Sequence, residues 1–420
     1  MILRPRVQRL IFSRTWKALL ALLVIWTTYE VVTIRGALYQ EAAKDPPPFG
    51  DQRIFIASIH WTDERVLREY WVPAVAQLAQ DIGREHVFVS VLESGSLDNS
   101  KGALWELDEQ LNKLGIPHKV ILDESSHLDE VNRGRNEGDE GWVQMPITKS
   151  YLQNWTDYFT LEKGSWQPRR IPYLARLRNE ALQPLYEQQA QGIMYDKILW
   201  LNDIVFTTPD AQRLLATRDG HYAAACALDF KKAPAFYDTF ALRDPLGLAP
   251  LTDTWPFFHS AQARSALQAG QPVLVVGCWN GMVAFDTAPF YHDRLSFRAI
   301  PDSLAKSHVE GSECCLIHAD NPLSRTKGVW VNPNVRVGYN GTSYNAVNDD
   351  GIWPSSYAIA TGLWRNRLLR WTQSFRASKG REVVSRFQEW KAGSTGVAEP
   401  GPWCLIDEMQ ILLWNGWGHA

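Results

Sequence analysis

Residues 195–208, YDKILWLNDIVFTT, constrain this chain more than any other stretch. Ile198, Leu199, Trp200 and Leu201 form a run of large apolar side chains, which Asn202 and Asp203 interrupt before Ile204, Val205 and Phe206. A short apolar run closed by turn-forming residues reads as a buried strand. In an open α/β sheet, a carboxylate at the carboxyl end of such a strand faces the crevice where ligands bind. Asp203 is then a candidate ligand for a hard divalent cation, and Asn202 beside it offers a neutral oxygen that binds less tightly than a second acid. A second reading leaves Asp203 as the cap of the next turn.

The flanking sequence predicts the sheet around this strand. Residues 53–59 (RIFIASI) read as a strand, 64–82 as a helix that Pro73 kinks or restarts, and 87–92 as a second strand ending at Glu93. Leu104, Leu107, Leu111 and Leu114 make a helical stripe closed by Gly115, and residues 119–122 form a third strand. Strand, helix, strand, helix, strand implies a parallel sheet with right-handed crossovers. Residues 123–145 are charged and lack an apolar period, so they read as a surface loop or lid. A helix is expected over 172–188, with Thr208 capping another. A strand over 221–228 ends at Asp229, and short apolar runs flank Gly277–Gly281. Beyond about residue 341 the pattern weakens, with a basic amphipathic stretch at 364–381 and a Trp-rich tail.

The amino terminus is set apart. Arg4, Arg6, Arg9, Arg14 and Lys17 precede an apolar run over 18–34 that only Glu30 interrupts. The run is at the short end for a membrane span, which takes about 20 residues. Basic residues before it keep the amino terminus cytoplasmic, and no small-residue cleavage site follows, so an uncleaved anchor is expected ahead of a cleaved signal peptide. The predicted order is a cytoplasmic tail (1–17), a signal-anchor helix (18–34), a stem (35–51) stiffened by DPPPFG, an α/β domain (52–345) and a carboxyl-terminal extension (346–420). The net charge of −3, with no basic block beyond the first residues, argues against a nucleic-acid partner. Five cysteines in an oxidising lumen leave at least one unpaired. Asn154 and Asn340 fit the glycosylation pattern if the body is luminal.

Several residues invite a functional role and a plain one together. Arg178 falls in the apolar stripe of its helix, so it needs an anionic partner, either a structural carboxylate or a diphosphate, whose shape its guanidinium fork matches. Glu93 and Asp229 each close a strand, as turn formers or as ligands. Trp279 and Asn280, between Gly277 and Gly281, sit on a tight bend that presents a ring and an amide, or pack as a corner.

Six segments in register, residues 53–59, 90–98 (SVLESGSLD), 171–182 (IPYLARLRNEAL), 199–206 (LWLNDIVF), 278–281 (CWNG) and 312–314 (SEC), resemble the fungal α-1,3-mannosyltransferase family that includes cryptococcal capsule and glycan enzymes. The resemblance covers roughly residues 52–340. It implies a GT-A-like nucleotide-sugar fold with a mostly parallel central sheet, in which Asn202-Asp203 stands for the metal-binding Asp-X-Asp. It also implies a single-pass type II Golgi membrane protein with a luminal catalytic domain. Mannose would pass from GDP-mannose to a mannose-containing glycan acceptor, retaining configuration, with Mn2+ or another divalent cation. Under that implication Glu313 and Asp203 are catalytic. Glu93, Arg178, Asn202, Asp229, Trp279 and Asn280 bind donor, and Asp203, Asn202, His318 and Asp320 hold metal. A carbohydrate-binding protein without turnover, and a sugar-phosphate transferase, are the alternatives.

Overall fold

A computed structural model describes residues 5–144, 164–348, 352–372, 378–394 and 399–419; Asn154 lies outside them. Helix α1 (Pro5–Ala42) leads into β1 (Ile54–His60), α2 (Val72–Ile82), β2 (Val87–Ser94), α3 (Ser100–Leu114), β3 (His118–Asp123) and α4 (His127–Arg133). Then come α5 (Arg170–Ala181), α6 (Gln183–Ala190), β4 (Lys197–Leu201), α7 (Thr208–Leu215), β5 (Ala224–Lys232) and β6 (Ala235–Phe236). Next are β7 (Val273–Val275), β8 (Met282–Asp286), α8 (Glu313–Asp320), β9 (Val329–Gly338), α9 (Ser356–Thr372) and α10 (Ser378–Gly393). The main sheet has the order β3-β2-β1-β4-β8-β5-β9-β7, with β6 on the side of β5. Strands β1 to β5 and β9 share one direction, and β6, β7 and β8 oppose it, so the sheet is mostly parallel.

The apolar run of β4 explains its central place. Side chains alternate across a strand. Ile198 and Trp200 enter the core cluster on the face covered by α5 and α6. Leu199 and Leu201 enter the opposite cluster, under α2, α3 and α7. All four are buried. Pro73 begins α2 rather than kinking a single helix, and a π-helical turn, Leu67–Trp71, precedes it. A proline has no N–H to continue the preceding ladder, and the wider turn absorbs the break. Gly115 caps α3 with a φ of 66°, as its position predicts.

Four expectations shift. The predicted helix over 172–188 breaks at Leu182, because Pro184 sits in the first turn of α6. The cap of α7 is Thr207, one residue before the expected Thr208; the Asp210 carboxylate accepts the Thr207 backbone N–H at 2.9 Å. Strand β5 runs on to Lys232, so Asp229 lies within it. The segment 123–145, expected as a surface loop or lid, contains α4, whose Ser126 and Asp129 form a capping box, and a short strand, Trp142–Gln144; residue 145 lies outside the described residues.

The carboxyl-terminal part of α1 and the described segments after residue 345 pack on the body. Helix α1 continues through residues 35–42, where a stem was expected, and Ile34 and Leu38 are buried. The expected extension forms α9, α10 and a hairpin of Gln410–Leu413 with Gly416–His419. Disulfides join Cys226 to Cys278 and Cys315 to Cys404, and the buried Cys314 is free.

Candidate functional site

Two adjoining cavities open at the carboxyl ends of β1 and β4. The larger, about 960 Å³, is lined by Asn202, Asp238, Trp279, Glu313 and Tyr339, with Gln410 and Trp417 from the terminal hairpin. The smaller, about 250 Å³, is lined by His60, Asp63, Ser94, Tyr173 and Asp203, again with Trp417. Arg170, Leu174, Arg178, Asn202 and Trp417 border both. Asn202 thus stands on the wall between two compartments, and Asp203, beyond the end of β4, faces the smaller one.

The Asn202 backbone is fixed on three sides. Its N–H donates to Gly281 O at 2.8 Å, and its carbonyl accepts from Ile204 N at 2.9 Å and from the indole of Trp71 at 2.9 Å. Its side-chain oxygen accepts from the Trp279 indole at 3.0 Å, and its amide donates to the Tyr339 hydroxyl at 3.4 Å. Tyr339 in turn donates to Asp229 at 3.0 Å, and Asp229 accepts the Asp238 backbone N–H at 3.1 Å. Asp238 accepts the Asn280 N–H at 3.2 Å, where Asn280 takes a φ of 61°. Asn202, Trp279, Asn280 and Asp229 therefore belong to one chain of hydrogen bonds; Asn202 and Trp279 border the larger cavity, whereas Asn280 and Asp229, expected to bind donor, are fully buried behind it. Burial, reinforced by the charge of Asp238, pushes Asp229 well up. A carboxyl held so is a hydrogen-bonded strut near neutral pH.

Arg178 and Glu313 meet. Arg178 Nε donates to Glu313 Oε1 at 3.1 Å, and their side chains are 7% and 3% exposed. The guanidinium lies 4.3 Å from the Trp279 ring centre and 5.2 Å from that of Trp200. Glu313 is thus the carboxylate that the buried arginine required. Among the described residues Arg178 Nη1 has no hydrogen-bond partner, at the junction of the two cavities. A buried, unsatisfied donor costs roughly 1–3 kcal/mol or more when charged, which an anion in the cavity would offset.

Asp203 differs from the other acids. Apart from its own backbone, its carboxylate has no hydrogen-bond partner among the described residues. Burial first, and the negative charge of Asp63 second, push its pKa up to about 7. Asp63 is held by His60 Nδ1 at 2.6 Å and by the Ser100 hydroxyl at 3.2 Å. Two carboxylates facing one small cavity, one of them unpartnered, form an oxygen donor set that fits a hard divalent cation. Asn202 contributes less to such a set, because its oxygen already accepts from Trp279.

The remaining candidates stand elsewhere. Glu93 turns inward at the end of β2, where it accepts the Ser96 N–H and lies 3.8 Å from Lys101; Ser94, not Glu93, reaches the cavity. His318 Nε2 bonds Cys278 O at 2.6 Å, and its ring stacks on Phe285. Cys226 and Cys278 approach His318, but their disulfide leaves no thiolate to bind a metal. Asp320 pairs with Arg298 at 2.6 and 3.0 Å. The structure brings neither His318 nor Asp320 to Asp203, since neither borders the two cavities. Asn340 spends its side chain on Lys231 O and Ser343 N.

The sequence reading passed over Asp63, His60, Asp238, Tyr339, Arg170 and the tail. Asp63 carried a usable signal. It follows β1, the strand beside β4, so the argument that singled out Asp203 applies to it. Asp238 and Trp417 had none, because only long-range folding brings them to the site.

The family described as Cryptococcal mannosyltransferase 1 matches residues 53–320, which hold most of the main sheet and all ten site candidates named from the sequence. The chain is 25% identical over 279 residues to the α-1,3-mannosyltransferase CMT1 of Cryptococcus neoformans, a match over 62% of this chain. It spans about half, 52%, of that relative's length. Among solved structures, the mannosyltransferase PcManGT of Pyrobaculum calidifontis, with GDP-Man and Mn2+, is 15% identical and aligns over 92% of this chain and 78% of its own, with a TM-score of 0.36. TarS 1–349 of S. aureus with UDP is 10% identical over 81% and 70%, with a TM-score of 0.35. With a family match over more than half its length, the chain belongs to the cryptococcal mannosyltransferase family.

Proposed function

We propose that the chain is a GT-A-like, membrane-anchored α-1,3-mannosyltransferase. It would transfer mannose from GDP-mannose to a mannose-containing glycan, with retention of configuration, in the Golgi lumen. The observation that carries this reading is the unpartnered Asp203 carboxylate at the end of β4, beside the unsatisfied Arg178 Nη1. Together they offer a cation site and an anion contact across one junction. Asp203 and Asp63 would hold a divalent cation, Mn2+ in the first instance. When bound, the cation neutralises charge on the departing diphosphate.

The chain's own residues supply the rest. Arg178 Nη1 donates to a diphosphate oxygen, while its Nε bond to Glu313 fixes the fork. Glu313 reaches that junction from α8, and its bond to Arg178 holds it beside the sugar compartment. Trp279 presents an aromatic ring to the sugar, and Trp417 closes the compartment from the tail. The larger cavity takes the donor sugar and acceptor, and the smaller takes the nucleotide.

A donor screen on the full chain, following nucleoside diphosphate release, tests this. GDP release from GDP-mannose, dependent on acceptor and cation, is expected; GMP release would mark a sugar-phosphate transferase. One observation favours a second reading: Asn202 is committed to Trp279 and leaves the cation a reduced ligand set. A carbohydrate-binding protein built this way would retain glycan on a column and release no GDP.

A further inference from the structure

The anchor helix is not free of the body. The Trp364 indole donates to the Thr27 hydroxyl at 3.0 Å, and its ring meets Trp26 edge-on at 5.7 Å. Arg367 pairs with Glu30, the one acid of the apolar run, and lies 4.7 Å from the Trp26 ring. Arg35 donates to the carbonyls of Ile352 and Pro354, just before α9. Residues 26–30 thus meet the second half of α9, and residue 35 meets its start. The two helices run antiparallel, and the carboxyl end of α9 points back along α1 toward its exposed apolar turns. Leu19, Leu22 and Ile25 on α1 are 61%, 62% and 64% exposed, and on α9 Leu368 and Trp371 are 55% and 64% exposed.

We propose that this end of α9 is a second membrane contact, with Leu368 and Trp371 seated in the headgroup–acyl boundary of the phospholipid bilayer that α1 crosses. The proposal rests on the reading of α1 as a membrane anchor. Continuity selects the occupant. Leu368 and Trp371 extend the apolar surface of a helix long and apolar enough to span a bilayer, and Trp is enriched where one side of a ring is wet and the other apolar. Of the arginines of α9, 365 and 367 are paired with Asp253 and Glu30, and Arg370 stands between Leu368 and Trp371 near the exposed end. Thr27, Glu30 and Arg35 then act as a bracket, and the body is held at two points instead of hanging from a stem. With α1 and α9 rigidly joined, the cavity mouth keeps a fixed tilt to the membrane.

The test uses the full chain, one copy per phosphatidylcholine nanodisc. Leu368→Cys and Trp371→Cys are labelled with bimane, with Leu22→Cys on α1 and Trp105→Cys on α3 as references. Wild type, whose only free thiol is the buried Cys314, gives the background. A nitroxide near the headgroup end of the lipid chain should quench positions 368 and 371 roughly twofold or more beyond position 105, as expected of side chains seated about 5–10 Å into the interface. All four substituted residues are exposed, and circular dichroism verifies folding. Quenching at 22 but not at 368 and 371 would overturn this proposal and leave the anchor standing. No quenching at 22 either would remove the anchor and the proposal together. Blue-shifted emission at 371 only in discs carrying two copies would assign the face to a second chain and overturn the bilayer assignment.

Discussion

Removing Arg178 should expose how much of the site is held by one ion pair. Arg178→Met deletes the guanidinium and leaves the Glu313 carboxylate buried without its partner. Breaking a buried pair in this way costs about 3–5 kcal/mol. The lower end is expected, because Arg170 also acts on the Glu313 charge. Loss of the contact with Trp279 adds up to about 1–2 kcal/mol. A total near 4 kcal/mol should lower the melting temperature by on the order of 5–10 °C in a chain of this size. Arg178→Met/Glu313→Leu removes both charges, and replacing a buried pair by apolar groups of similar volume is often neutral. The double variant should therefore melt above the Arg178→Met protein, and the cycle should show coupling of about 2 kcal/mol or more. GDP binding to the folded variants separates the second role of the guanidinium. Arg178→Lys keeps the charge but has no Nη1, and should bind GDP about tenfold more weakly, the worth of one hydrogen bond to a charged group. An Arg178→Met melt equal to wild type would refute the pairing argument. Unchanged GDP affinity in Arg178→Lys would show that Nη1 faces no phosphate.

Asp203→Asn should abolish cation-dependent transfer yet raise the melting temperature at pH 8. The folded carboxyl titrates near 7, so its stabilising effect is present below about pH 3.8 and lost as pH rises through 7; melts at pH 4 and pH 8 check this. Asp63→Asn should weaken Mn2+ binding, followed by electron paramagnetic resonance, and leave the main sheet folded. His318 runs the other way. Burial holds its imidazole down, to about 4, so the chain loses up to about 3 kcal/mol as pH falls from 6.5 toward 4, a slope that His318→Gln should flatten in denaturant titrations. Cys315→Ser/Cys404→Ser should cost about 4–5 kcal/mol for a loop of this length, and lower glycan affinity by loosening the tail.

Much of the central sheet could be read from local pattern because its cause is local. Apolar runs at 54–60, 87–94 and 197–201 and the stripe of α3 carry their periods in adjacent residues. The places of Asn202 and Trp279 on the cavity wall have the same local cause: one stands at a strand end and the other at a glycine bend. The antiparallel β8 between β4 and β5 had no such mark, since pairing partners far apart in sequence set it. The same holds for the ligands that Arg178 and Asp320 select. A place in the apolar stripe demanded an anion for Arg178, but only the fold names Glu313. His318 looked like a ligand because imidazoles often are, whereas its surroundings make it a neutral hydrogen-bonding core residue.

The hairpin of residues 410–419 closes a site begun at His60. Synthesis therefore completes the main sheet before it completes the cavity. A nascent chain halted near residue 400 already has β1 through β9, yet lacks Gln410 and Trp417 from the cavity wall and Cys404 for its disulfide. Such a chain would present a finished sheet to quality-control factors while its binding compartment stood open on one side. The hairpin thus joins the cavity wall after the sheet, and the Cys315–Cys404 disulfide, six residues ahead of it, ties its root to α8.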